Sequence, residues 1–337
     1  MEEQEIPTES NKDFLSIPGS PLSSSYNSRQ SDEFSSIYES TGSQSSVRNS
    51  KYRSEHHDLC IYDYGTEKER DRQTRQHYVL KQVFQNNIHV ELATEPTCIL
   101  ESACGVGLWS LETAQAYPNC KVIGIDVVPP SEREGWNPHF SGVPESQTGN
   151  LHYKYGDIHR QLEFDDHAFD FVFQRDVATD VPQSLWPNLI SEFARVLKPG
   201  GQIELVEYDL LFKSPGPFLS QVNEWYRTAA KNIEVDPDYT LYISEYLKES
   251  GFVDINEKIV DIPIGEWPSD ALQRQYGFLY KEQMKTLFKS FKRWWCAELK
   301  VSAQEYDKAC MEALEEFDKQ KCFARWKIFT ATKPSCL

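Results

Sequence analysis

The 337-residue chain is short of positive charge: 35 Lys and Arg stand against 52 Asp and Glu, a formal net charge of −17 at pH 7 with His neutral. A sequence-independent grip on nucleic acid needs clustered cations that displace counterions from phosphates. Docking on an anionic membrane surface needs the same sign, so direct nucleic-acid and membrane partners are both disfavoured. Long apolar runs are missing too. No stretch approaches the roughly 18 consecutive apolar residues of a membrane helix, and the acidic, polar amino end has no signal-peptide core. The cysteines at 60, 98, 104, 120, 296, 310, 322 and 336 include no CxxC pair and no partner histidines at zinc-ligand spacing. His56 and His57 are adjacent and stand alone in a polar stretch. No metal is expected, and the thiols read as reduced residues of an intracellular protein. The end, Ser335-Cys336-Leu337, places its cysteine wrongly for prenylation and lacks the lysine of a peroxisomal signal. The expectation is a soluble protein, cytoplasmic or nuclear.

What is present divides the chain. Residues 1–55 are dense in Ser, Asn, Gln, Glu and Pro, and such a segment buries too little apolar surface to offset the entropy of ordering it. A disordered tail is expected there, with Phe14, Leu15, Phe34, Ile37 and Tyr38 as the alternative, a short docking motif. Residues 56–96 form a helical lead-in, with Tyr78, Val79, Val83 and Phe84 spaced for one face over 68–86. Then strands and helices alternate: strands at 97–100, 121–126, 151–155, 169–174 and 202–208, helices at 108–117 and 185–197, and a turn at Lys198-Pro199-Gly200-Gly201. That alternation means βαβ units and a parallel sheet. Farther on, a helix over 241–250 stops at Gly251, and 252–262 alternates like an edge strand. Residues 270–320 are helical and rich in aromatics, and Phe323–Thr332 alternates as a closing strand. The fold expected is α/β, a Rossmann-like seven-stranded, mostly parallel sheet with helices on both faces, plus an added helical region. Its core spans 97–210, and a helical cap with the closing strands spans 211–335.

Ile99-Leu100-Glu101-Ser102-Ala103-Cys104-Gly105-Val106-Gly107 sits at a strand-to-helix junction. Small residues there let the backbone approach a ligand, and the following helix presents free N–H groups to it. The dinucleotide fingerprint requires glycine at 110, where Ser110 stands. Asp126 closes the next strand, where a carboxylate accepts hydrogen bonds from ribose hydroxyls. A nucleoside without a pyrophosphate cradle fits this pattern better than NAD.

Ile99 to Gly107 resembles the first motif of class I S-adenosylmethionine-dependent methyltransferases, and Gly124-Ile125-Asp126 resembles their ribose-binding strand end. Gly156-Asp157-Ile158 is similar to the adenine-side acidic motif, Phe169 to Phe173 to the fourth strand, and Arg195 to Gly201 to the turn before the fifth. A closer resemblance, over roughly 60–335, is to the fungal group related to the velvet-complex regulator of secondary metabolism. It is carried by Arg72 to His77, Gln174-Arg175, Ile262 to Pro268 and Thr332-Lys333-Pro334. This resemblance implies S-adenosyl-L-methionine as cofactor, held by Glu101, Ala103, Gly105, Gly107, Asp126, Asp157, Ile158, Gln174 and Arg175. Glu101 and Ala103 depart from the family's commoner aspartate and first glycine. Each residue keeps a plainer reading: turn glycines, a strand-end cap at Asp126, a local turn at Asp157, a salt bridge at Arg175, a packed helix residue at His77.

Methyl transfer from a sulfonium is an in-line displacement with an activated leaving group, so alignment and water exclusion dominate. A general base is optional, and no catalytic residue is legible. The Asn/Asp-Pro-Pro-Tyr signature of many amino-group methyltransferases is absent after the fourth strand. The acceptor expected is a small molecule or a protein side chain. Trp267, Tyr276, Phe278, Tyr280, Phe288, Phe291, Trp294 and Trp295 either wall its pocket or pack as core. The alternative is a regulatory scaffold that keeps the fold and the cofactor and works through a regulatory protein partner. An NAD-dependent oxidoreductase is the weakest reading.

Overall fold

The structure, a computed structural model, describes residues 67–92, 95–132 and 149–335. The serine-rich tail, the lead-in up to residue 66 with His56, His57 and Cys60, most of the loop ahead of Asn150, and Cys336 lie outside the described residues. Helix α1 (Glu67–Phe84) buries His77, Val79, Leu80 and Phe84. Strand β1 (Cys98–Ser102), helix α2 (Leu108–Ala116), and strands β2 (Lys121–Asp126), β3 (Leu151–Tyr155) and β4 (Phe169–Arg175) follow. Then come α3 (Trp186–Val196), β5 (Leu197–Tyr208), α4 (Pro217–Asn232), α5 (Ile243–Glu249), β6 (Val253–Pro263), α6 (Ala271–Leu299), α7 (Ala303–Lys319) and β7 (Phe323–Thr332).

The strands form one seven-stranded sheet in the order β3-β2-β1-β4-β5-β7-β6. The first five are parallel, and β7 runs antiparallel to both of its neighbours. The chain steps outward from β1 to β3 and then returns to lay β4 on the other side of β1. Strand order therefore reverses between β1 and β4, which opens a crevice at their carboxyl ends. Apolar side chains on both faces of β1, β2 and β4 bury these strands almost completely, as a parallel sheet covered by helices requires. The Trp109 ring of α2 lies flat on Phe173 of β4, with centroids 4.0 Å apart, and so holds α2 against the sheet.

Three features differ from the sequence expectation. Strand β5 begins at Leu197, one residue ahead of the Lys-Pro-Gly-Gly segment and so takes it in, with Gly200 at φ +78° turning the chain there. Gly200 N donates to Lys333 O at 2.9 Å and Lys333 N to Gly201 O at 2.8 Å, so β7's extension pairs with the turn itself. Helix α4 occupies a stretch to which the expectation above assigns no element; Pro217 starts it at a position where a missing N–H costs nothing. The aromatic helical region is two helices, because Lys300 is left-handed at φ +55° and Ser302 with Glu305 builds a capping box for α7.

Candidate active site at the carboxyl edge of the sheet

Glu101 of β1 is buried against the first turn of α2. Its Oε2 accepts from Ser110 N at 2.9 Å and from the Ser110 hydroxyl. That amide has no partner within the helix, so Glu101 acts as a cap delivered from the strand. Burial pushes its carboxyl up to about 7, against the pull of Ser110 and Arg175.

Beyond Ser102 the chain passes three left-handed residues, Ala103 (φ +50°), Gly105 (φ +55°) and Gly107 (φ +77°). Cys104 N donates to Ile125 O at 2.8 Å and Gly105 N to Asp126 Oδ2 at 2.9 Å, tying the turn to the end of β2. Asp126 Oδ1 accepts from Val128 N at 2.9 Å, so this carboxylate organises the turns on both sides of it. Ala103 is strained: a left-handed L-residue with a Cβ costs roughly 1–2 kcal/mol. Ala103→Gly relieves that strain but adds roughly 0.4–1 kcal/mol of unfolded-state entropy. The expected outcome is a net stabilisation of up to about 1 kcal/mol, read from the denaturant midpoint; a destabilised variant contradicts the strain.

A crevice of about 750 Å³ gathers Glu101, Ala103, Gly105, Asp126 and Arg175 on its wall, joined by Gln73 and His77 of α1. The other sequence-selected residues lie off that wall. A Cβ on Gly107 would run into the Tyr153 phenol, whose hydroxyl donates to Gly107 O at 2.5 Å. Gln174 is fully buried beneath the crevice, accepting from Ser102 Oγ at 3.1 Å. Asp157 accepts from His159 N at 3.0 Å and faces Arg160 Nε at 3.2 Å, while Ile158 packs against the core.

Arg175 lies 3.0 Å from His77 Nδ1 through Nη2, and His77 Nε2 is 3.2 Å from Glu112 Oε2. A guanidinium only donates, so His77 Nδ1 is the acceptor and the ring is neutral with its proton on Nε2. Burial lowers the His77 pKa, and Arg175 adds to that. Gln73 Oε1 is buried without a hydrogen-bond partner, and a Cβ on Gly105 would lie 2.9 Å from it. An orphaned acceptor on this wall suits a ligand that brings a donor.

Comparison with known proteins bears directly on this crevice. A family described as "Methyltransferase domain" matches residues 99–201, from β1 through the turn before Gln202. Residues 99–201 thus carry a methyltransferase domain, which together with the curated relatives supports a class I S-adenosylmethionine-dependent methyltransferase. S-adenosylmethionine is accordingly its cofactor. Among curated proteins, the methyltransferase is 26% identical over 226 residues to the secondary metabolism regulator LAE1 of Cochliobolus heterostrophus, covering 64% of this chain and 69% of that one. It is 24% identical over 229 residues to the methyltransferase pytC of Aspergillus terreus, covering 65% and 66%. The laeA regulators related to it are covered over 50–55% of their length, so the chain spans about half to two thirds of these relatives. Among solved structures, phosphoethanolamine N-methyltransferase 2 of Haemonchus contortus aligns with a TM-score of 0.45 and 17% identity, covering 77% of this chain and 52% of that one.

A second cavity of the methyltransferase, about 620 Å³, lies beside the crevice. Half of its wall is aromatic, including Tyr208, Tyr226, Tyr280, Phe291, Trp295 and Trp326. The two cavities share Arg72, Gln76 and Asp176. Gln76 Nε2 donates to Asp176 Oδ2 at 2.7 Å, and Arg72 Nη1 donates to Gln76 Oε1 at 2.6 Å. Arg72 is in turn forked onto Glu69, with Nη2 2.7 Å from Oε1. Burial pushes the Asp176 carboxyl up, with Arg72 and Gln76 pulling it back.

Of the aromatics singled out in the sequence, Tyr280, Phe288, Phe291 and Trp295 line this cavity. Trp267 Nε1 donates to Cys322 O at 3.1 Å, Tyr276 Oη to Gln82 O at 3.1 Å, and Phe278 is 47% exposed. Trp294 lies off the wall. Sequence reasoning missed Gln73, Gln76, Asp176, Tyr226 and Trp326. Only Asp176 carried a usable signal, its place directly after a strand's carboxyl end. No helix among the described residues is long and apolar enough to cross a membrane.

Proposed function

We propose that the methyltransferase acts on a small, flat, largely apolar molecule held in the aromatic cavity, with the methyl donor in the adjoining crevice. The observation that supports this is that the two cavities have Arg72, Gln76 and Asp176 in common on their walls. A methyl group moves between donor and acceptor only when both reach one point in line, and adjoining cavities with common wall residues set two bound molecules side by side. Ala103, Gly105 and Asp126 hold the donor's amino-acid and ribose parts, with Gln73 Oε1 accepting from its amino group. Gly107 and Gln174 support that surface from behind, Asp157 and Ile158 flank its adenine side, and Arg175 sets the neutral state of His77. Residues 97–210 thus serve the donor, and 211–335 supply most of the acceptor wall. The donor brings a methyl group already activated on a positively charged sulfur; the protein's task is to orient the acceptor and exclude water.

The experiment is incubation of the full chain with methyl-labelled S-adenosylmethionine and a cell extract, followed by separation of protein from small molecules. Label is expected in the small-molecule fraction. It should vanish for Asp126→Ala, which loses the donor, and for Leu287→Trp, which fills the aromatic cavity yet keeps donor binding by calorimetry. Label confined to protein, or undiminished in Leu287→Trp, overturns the reading. The regulator names of several relatives favour a second reading, a regulatory scaffold that binds the cofactor. Donor binding with no label transferred to either fraction identifies that case.

A further inference from the structure

The geometry points to Asp176 as the group that takes a proton from the acceptor, and so to an acceptor whose nucleophile is a neutral aromatic hydroxyl. This rests on the reading of the aromatic cavity as the acceptor pocket. Asp176 lines both cavities, and its Oδ1 has no hydrogen-bond partner among the described residues, while Gln76 holds Oδ2. The other groups common to the two walls cannot accept a proton: Arg72 is a cation already forked onto Glu69, and Gln76 is an amide. His77 lies in the crevice with one ring nitrogen on Arg175 and the other facing Glu112. Glu101 has its Oε2 taken by Ser110 and lines the crevice alone, away from the aromatic cavity. Asp176 is also held at φ +58° with its N–H on Val206 O at 3.0 Å, which aims the side chain off the strand end. Asn and Asp are enriched in that conformation, so the backbone suits this residue type.

The aromatic wall suits a flat ring, and with Arg72 paired to Glu69 no free cation among its described residues draws an acceptor that is already anionic. In the step, the acceptor oxygen's lone pair forms the O–CH3 bond and the C–S bond breaks with its pair left on sulfur. The O–H proton passes to Asp176 Oδ1. The charged and titratable groups facing Asp176 are Arg72 and Glu69 from α1, Arg175 beside it, Glu207 from β5, Tyr239, and Tyr280 from α6. Burial outweighs the two arginines, so the carboxyl titrates above its ordinary value.

The test uses the full chain, S-adenosylmethionine and two probes, 2-naphthol and 2-naphthalenethiol. The thiol is largely ionised near neutral pH and needs no base; the naphthol does. General-base help is worth roughly 10²–10⁴-fold. Asp176→Asn is isosteric and tolerates the left-handed backbone, and its melting temperature and donor binding are measured alongside. It should lose about 10²-fold or more in naphthol turnover at neutral pH while thiol turnover stays within about threefold. The wild-type plateau above the acid limb with naphthol should be replaced by a rise that continues tenfold per pH unit towards the naphthol pKa, since only naphtholate then reacts. In Gln76→Leu, which removes the donor from Oδ2, the acid limb should move to higher pH, whatever the change in the height of its plateau. Equal losses on both probes, or naphthol turnover unchanged, overturns the assignment. Should Asp176→Asn not fold, an unmoved acid limb in Gln76→Leu overturns it. If the wild-type chain methylates neither probe and naphthol does not quench its tryptophans, the acceptor reading fails and this proposal with it.

Discussion

Replacing Gly107 with alanine should lower the unfolding free energy by roughly 2–5 kcal/mol, the combined cost of a left-handed Cβ and of overpacking. At φ +77° the backbone already disfavours any side chain, and the new methyl would overlap the Tyr153 ring, which is itself hydrogen-bonded to Gly107 O at 2.5 Å. Gly124 meets the same ring: its Cβ would fall 2.9 Å from Tyr153 Cδ1 and 2.8 Å from Ser110 Oγ. Gly107 and Gly124 thus let α2, β2 and β3 close around one tyrosine. The measurement is a double-mutant cycle in denaturant. With Tyr153→Ala in the background, Gly107→Ala should lose the overlap part of its cost, at least about 1 kcal/mol, and keep the backbone part. Strict additivity of the two changes would sink the packing argument and return Gly107 to the role of a ligand-facing glycine.

Glu207→Gln should stabilise the protein by roughly 4 kcal/mol at pH 8 and by less than about 1 kcal/mol at pH 5. Glu207 is wholly buried, and burial, aided by the charge of Asp176, pushes its carboxyl up to about 8 from an ordinary 4.5. The hydrogen bonds agree with a protonated acid. Tyr239 Oη lies 3.0 Å from both Glu207 Oε2 and Tyr208 O, yet a hydroxyl has one proton and the carbonyl can only accept. With that proton on Tyr208 O, Glu207 is the donor to Tyr239. A group whose folded pKa is raised contributes its stability fully below the unfolded value and loses it as pH rises through the folded value. Wild-type stability should therefore decline between about pH 4.5 and about 8 on account of Glu207, at about 1.4 kcal/mol per tenfold change in proton concentration. Glu101, raised to about 7, pulls the same way. Glutamine keeps the shape without the titration, so the gap between variant and wild type isolates one group. Denaturant midpoints from pH 5 to 9 decide it: a gap that does not grow with pH contradicts a protonated Glu207.

Much of the framework was legible because short-range rules carry it. The runs at 121–126, 151–155 and 323–332 coincide with β2, β3 and β7, since apolar content and alternation directly record burial. Gly251 ends α5 at φ +85°, the expected left-handed stop. The break in the helical region was also written in the chain, as Ser302 three residues before Glu305, but it passed unnoticed inside a long helical pattern. Helix α4 carries the same kind of signal, with Leu219, Val222, Tyr226 and Ala229 at i, i+3, i+7 and i+10 behind Pro217, although the expectation above assigns no element there.

The amino-acid sequence by itself determined the strand-turn-helix with its three small residues, the acid at the end of β2, and the parallel sheet they imply, because each follows from backbone sterics and period. It did not decide which of those residues face a ligand. Gly105 and Gly107 are two positions apart, yet one lines the crevice and the other is pressed against Tyr153, 46 residues away. Likewise the joining of α1, β4 and α6 around Asp176 is a long-range event, with Gln76 bonded to a residue 100 positions on. Contacts at such separations leave no period in the chain; they exist only once the sheet has brought the carboxyl ends of its strands together.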